Sequence, residues 1–132
     1  GLLGPNDGPP PVLEKMTWET PDVTVGGRHS TYPNPMERAL PRRVCVEKVI
    51  TRVDDNVGSA THAALEMYVD TTDTKNMIQR HDVPNSPGDL TFMVRRPART
   101  LYFISKQRNN YPGDEETRFH HIDVYYFDRE KC

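Results

Sequence analysis

From Arg43 onward, apolar and β-branched residues recur at every second position in short runs, each closed by turn chemistry, and no helical period is sustained over any long stretch. That period of two constrains the fold more than any other feature, because it specifies half-buried strands. Val44-Cys45-Val46 and Val49-Ile50-Thr51-Arg52-Val53 read as strand, with Glu47-Lys48 breaking the alternation in the manner of a bulge. Leu65, Met67 and Val69 alternate with Glu66, Tyr68 and Asp70, and a short strand is expected at residues 77–80. Residues 90–95 alternate cleanly, Arg96-Pro97-Ala98-Arg99 reads as an interruption, and residues 100–105 resume as a mostly apolar strand. The last strand, residues 119–127, sets Ile122, Val124 and Tyr126 on one face and Phe119, His121, Asp123, Tyr125 and Phe127 on the other. Turns are expected at residues 54–59, 84–89 and 109–114, which are rich in Asp, Asn, Gly and Pro.

The first forty residues differ. Pro5, Pro9, Pro10, Pro11, Pro21, Pro33, Pro35 and Pro41 punctuate them, and proline neither donates to a ladder nor continues a helix. Residues 1–40 are therefore expected to be an extended Pro-rich arm, with short edge strands at residues 16–20 and 23–25 and Trp18 plugging one end of the core. Residues 41–132 are expected to form the β domain. The expectation is all-β: an antiparallel sandwich or small barrel of about five to seven short strands. With 132 residues such a domain can bury a real core. Its 35% hydrophobic content is lean but concentrated in the alternating runs.

A net charge of -2 gives no bulk attraction to nucleic acid. No apolar stretch approaches the ~20 residues of a membrane helix. A first residue of Gly1 fits signal-peptide removal best, with cleavage from a polyprotein, an expression scar and loss of Met alone as the alternatives. The two cysteines, Cys45 and Cys132, suit one disulfide closing a loop of roughly ninety residues, worth ~4 kcal/mol in the chain-entropy model. Free thiols, or an intermolecular bridge through Cys132, are the competing readings. A bridge would argue for an oxidising compartment.

No catalytic motif or metal-ligand spacing stands out, and neither a cofactor nor a metal is expected. His120 and His121 point to opposite faces of a regular strand, which leaves His121 with Asp123 as a weak metal pair. The serines lack a nucleophile-elbow context. The oxygen-rich stretches at Asp54-Asp55-Asn56 and Asp70 lack the spacing of a calcium loop and read as turn caps. The best candidate surface is basic. Arg95, Arg96 and Arg99 at a hairpin corner, with Tyr102 beside them, have the chemistry to hold sulfate, phosphate or carboxylate. A solvated turn paired with Asp114-Glu115-Glu116 is the plainer reading.

The stretch from Phe103-Ile104-Ser105-Lys106-Gln107-Arg108 to His121-Ile122-Asp123-Val124-Tyr125-Tyr126 resembles the C-terminal end of small secreted insect proteins of the bridging-factor type, which close on a strand, a Ser-Gln-Arg-Gly turn and a final strand. Here Lys106 interrupts the Ser-Gln-Arg run and Asn109 stands at the glycine position.

Together these features point to a secreted or extracellular, non-enzymatic β domain. It is expected to associate with another protein or an assembly through its N-terminal arm, or with a sulfated glycan through the arginines. A virion coat-associated component is the alternative and a small hydrolase the third reading.

Overall fold

The computed structural model describes residues 10–27, 30–55, 62–108 and 115–132. The all-β antiparallel architecture is as expected. Six strands form one sheet: β1 (Leu13–Val25), β2 (Met36–Asp54), β3 (Ala63–Val69), β4 (Met77–Asp82), β5 (Gly88–Gln107) and β6 (Thr117–Phe127). Their spatial order is β1-β6-β2-β5-β3-β4, with every pairing antiparallel. The Gly1 to Pro9 part of the expected arm and the expected turn at residues 109–114 lie outside the described residues.

Two strands are far from short. β2 and β5 pair along most of their lengths, and both pass from one half of the sheet to the other. In the first half, residues 45–54 of β2 pair with β6, which in turn pairs with β1. In the second half, residues 101–107 of β5 pair with β3, which pairs with β4. The register of β2 on β5 shifts between Ala39 and Val44, where β2 carries Pro41. A proline is tolerated there because the bulged stretch makes no ladder bond. The expected interruption at Arg96-Pro97-Ala98-Arg99 is corrected: β5 runs through it, with Pro97 opposite Cys45 and Arg96 opposite Val46. The arginines therefore sit at a bend within one strand, not at a hairpin corner. The bulge expected at Glu47 is present, with register shifting between Val46 and Lys48 against both neighbours.

The bend folds the two halves over a shared core. Met16, Val124, Val49 and Phe92 form one inward row across the first half, and Trp18, Ile122, Thr51 and Leu90 form the next. Leu65, Met67, Leu101 and Phe103 answer from the second half. Phe103 and Phe119 meet edge to face, 5.4 Å apart. Fully burying such a side chain stabilises the fold by roughly 1.5–3 kcal/mol. Phe119 lies in the core rather than on the polar face, because β6 has one extra residue, His120, between the positions opposite Arg52 and Val53. Trp18 is half-buried against the core margin.

The curl nearly closes. Gln79 Oε1 on β4 accepts the Met93 N–H at 2.9 Å, and His81 Nε2 donates to the Thr91 carbonyl at 2.8 Å. β4 side chains thereby reach the first half of β5. On the other flank the Ser105 hydroxyl joins Thr117 Oγ1 (2.7 Å) and the Glu115 carbonyl.

Polar anchors hold the bend. Asp70, just past β3 with φ of 66°, accepts the N–H groups of Arg99 (2.8 Å) and Thr100 (3.2 Å) on Oδ1 and Arg43 Nη1 (2.7 Å) on Oδ2. Burial pushes the Asp70 carboxyl up, but the Arg99 N–H, the Arg43 guanidinium and the Thr100 N–H outweigh it and hold it below its ordinary value. Cys45 is bonded to Cys132 with Cα atoms 5.2 Å apart, across 87 residues of sequence. The bridge clasps the C-terminal segment to β2, where the Cys45 N–H donates to the Arg129 carbonyl at 2.6 Å.

Candidate functional site

Side chains two apart on a strand share a face, so the core rows fix what faces outward from the first half. Reading β1, β6, β2 and β5 in turn, the outer rows are Lys15, Tyr125, Lys48, Met93; then Thr17, Asp123, Ile50, Thr91; then Glu19, His121, Arg52, Asp89. The centre of this face is half-buried and mixed: Tyr125, Asp123, His121, Lys48, Ile50, Arg52 and Met93 are all partly covered. The rim residues Lys15, Thr17, Glu19, Thr91 and Asp89 are exposed.

Two ammonium groups converge on one ring. Lys48 Nζ lies 4.9 Å and Lys15 Nζ 5.8 Å from the Tyr125 centroid, within reach of the ring's negative π face. Asp123 holds the neighbouring row together, accepting the Thr17 hydroxyl at 2.6 Å and lying 3.9 Å from Lys15 and 3.7 Å from His121 Nε2. Arg52 pairs with Asp89 at 3.3 Å. These exposed pairs add little stability; their effect is to fix where the charges stand. Among the described residues no third His, Cys, Asp or Glu joins His121 and Asp123 as a metal-ligand group.

Two of the four residues of the basic candidate surface turn to separate partners. Arg95, with φ of 53°, directs Nε to Glu47 at 3.2 Å and borders the face just described. Arg99 turns Nε onto the Leu40 carbonyl at 2.7 Å, across the bend. Arg96 stands opposite Val46, and Tyr102 stands between Glu37 on β2 and Tyr68 on β3.

Two charged clusters go beyond what the sequence shows, since Asp54 and Asp55 read as turn caps and Glu66 as the outer side of an alternating strand, yet all three are buried. Asp54, fully buried, receives Arg118 Nε at 3.1 Å and Nη2 at 3.0 Å, and His120 Nε2 at 2.5 Å. Asp55, also fully buried, accepts the Ala63 N–H and Asn85 Nδ2 at 3.3 Å each and faces Arg108 Nη2 at 3.6 Å, while Arg108 touches His62 Nδ1 at 3.1 Å. Buried carboxylates require such partners, and here they tie the end of β2 to β6, β3 and the β4–β5 turn. Asp54 opposite Arg118 is a signal visible only once the register is known. The second cluster is Glu66, which accepts Tyr68 Oη at 2.8 Å and Arg80 Nη1 at 3.2 Å. Burial, then the bond to Glu66, pushes the Tyr68 phenol up to about 12. Both clusters have their oxygens occupied by protein donors, which suits clamping rather than proton transfer.

No family model matches the chain. No curated protein matches it either. Among solved structures, the crystal structure of FLHE aligns over 90% of this chain and 97% of that chain, at 11% identity and a TM-score of 0.42. A likeness at that level bears on neither fold nor function.

Proposed function

We propose that this chain is a secreted, non-enzymatic binding domain that associates with another macromolecule through the outer face of β1, β6, β2 and β5. The observation that carries the reading is the make-up of that face: a half-buried Tyr125, Ile50 and Met93 centre inside a rim of placed charges. Interfaces favour this arrangement, in which an amphipathic aromatic anchor is desolvated while rim charges set orientation. The Cys45–Cys132 bond supports an oxidising compartment. No helix among the described residues is long and apolar enough to cross a membrane.

A protein partner is the first reading. A sulfated glycan is the second, favoured by Lys15 and Lys48 flanking the Tyr125 ring with Arg95 at the border, since ammonium and guanidinium groups bind sulfate and a ring can stack on a sugar. The test is expression with a photo-crosslinker in place of Tyr125 in the native extracellular fluid, beside heparin chromatography. A discrete adduct that disappears with Ile50→Asp and Lys48→Glu supports the protein reading. Heparin retention that Lys48→Glu abolishes supports the glycan reading. If neither adduct nor retention depends on these residues, the face is only a solvated surface.

A further inference from the structure

Among the described residues, the free edge of β1 is open along one part of its length. Near its end, the edge is covered by the chain itself: Tyr32 N–H donates to the Thr24 carbonyl at 2.9 Å, Gly26 N–H to the Tyr32 carbonyl at 3.1 Å, and Thr31 and Thr24 exchange side-chain bonds. A bulge follows Glu19, with Pro21 and with Asp22 at φ of 59°. Before the bulge, β1 pairs with β6 on one side, and among the described residues no strand pairs with residues 14–20 on the other. Val12 and Leu13, 73% and 43% exposed, stand at the head of this stretch. An uncovered edge is a template for another strand.

The sequence of the stretch is complementary to itself. Around Thr17, Met16 and Trp18 stand one residue away, and Lys15 and Glu19 two away. In an antiparallel pair related by a two-fold axis, residues equidistant from the axis lie opposite each other. An axis through Thr17 sets Lys15 against the partner's Glu19 twice on the outer face. On the inner face it sets Met16 against the partner's Trp18 twice. Continuing the sheet with its faces matched allows only axes that pass through a residue. Moving the axis by one residue, to Met16 or to Trp18, sets Lys15 opposite the partner's Thr17 or the partner's Pro21 and leaves no pair of opposite charges. Charge and pleat thus select one register.

We propose that this edge is a self-association surface whose partner is a second copy of the chain, joined β1 to β1 antiparallel about Thr17 so that two sheets become one. The inference concerns the strand edge and does not rest on the reading of the outer face.

The test is sedimentation of the full, disulfide-intact chain from low micromolar to submillimolar concentration. The wild type is expected to dimerise. Lys15→Glu and Glu19→Lys, both at exposed positions, each place like charges at both symmetric contacts and should weaken the dimer about tenfold. An equimolar mixture of the two variants restores both attractive contacts and should dimerise as the wild type does, as should the double variant. Thr17→Pro should leave a monomer that keeps its disulfide. A wild type that stays monomeric throughout overturns the proposal. So does a dimer indifferent to either charge reversal, or a mixture that associates no better than its components.

Discussion

Replacing Asp70 should separate three contributions that one side chain makes to the bend of β5. The carboxylate takes two backbone N–H groups, those of Arg99 and Thr100, and one guanidinium, that of Arg43, and it does so from a left-handed backbone with φ of 66°. With the side chain 28% exposed, each N–H bond is worth ~1 kcal/mol rather than a fully buried value. The half-exposed Arg43 contact adds ~0.5 kcal/mol. Alanine is also less tolerant than aspartate of positive φ, by ~0.5–1 kcal/mol. Asp70→Ala should therefore cost about 3 kcal/mol. Asp70→Gly should cost about 2 kcal/mol, because glycine relieves the backbone strain. Asp70→Asn, which retains an acceptor and tolerates the conformation, should cost about 1 kcal/mol. Urea unfolding followed by far-UV circular dichroism, analysed at a common slope, gives the ranking. The pH dependence supplies a second check. A carboxyl held below its ordinary value contributes stability that is present above about pH 3.9 and is lost as pH falls through the folded value. The gap between wild type and Asp70→Asn should accordingly shrink in acid. Alanine within about 0.5 kcal/mol of wild type would refute the reasoning, as would asparagine costing as much as alanine or a gap that does not change between neutral pH and pH 2.

Three further outcomes follow from buried groups and the crosslink. Subtracting the tyrosinate absorbance titration of Tyr68→Phe from that of wild type should isolate one phenol ionising near pH 12, since its folded value is raised. Its stability contribution is then present below about pH 10 and lost as pH rises through about 12; a difference curve centred near 10 would contradict this. Removing the disulfide with Cys45→Ala and Cys132→Ala should cost ~4 kcal/mol, because the 87-residue separation leaves a large loop unconstrained in the unfolded chain; a loss below ~1 kcal/mol in denaturant titration would show the clasp to be redundant. Thr51 Oγ1 is buried with no hydrogen-bond partner among the described residues, between Ile122 and Leu90. Thr51→Val should raise stability by about 1 kcal/mol, and a lower unfolding midpoint would reveal an unrecognised partner for the hydroxyl.

The class of fold was legible wherever a strand keeps strict alternation and faces water on one side. Leu90, Phe92 and Val94, or Ile122 and Val124, needed no more than counting by two. Glu47 also gave itself away, because a bulge breaks that count within one β-rich run. The count fails at His120, where the extra residue leaves no compositional trace and counting by two puts Phe119 on the polar face instead of in the core. It fails at Pro41 and Pro97 for a different reason. Proline marks a position without a ladder donor, yet β2 continues past Pro41 where its register on β5 shifts, and β5 continues past Pro97 in register with Cys45. Local chemistry cannot distinguish that from an ending.

The same limit governs the charged residues. Sequence reading ranks Arg95, Arg96 and Arg99 as a cluster because they are adjacent in the chain, yet Arg95 and Arg99 hold partners on opposite halves of the bend, Glu47 and Leu40. Conversely, Lys15, Lys48 and Tyr125 come from three strands and meet only through the order β1-β6-β2. A surface assembled across strands is set by register, and register here depends on two bulges, at Glu47 and His120. Shifting β2 by one residue against β6 would turn Lys48 inward and Val49 outward, destroying the core row and the outer face in one step. The burial of Val49, Phe92 and Val124 therefore also holds Tyr125 between its two lysines, so the candidate face and the core are selected together.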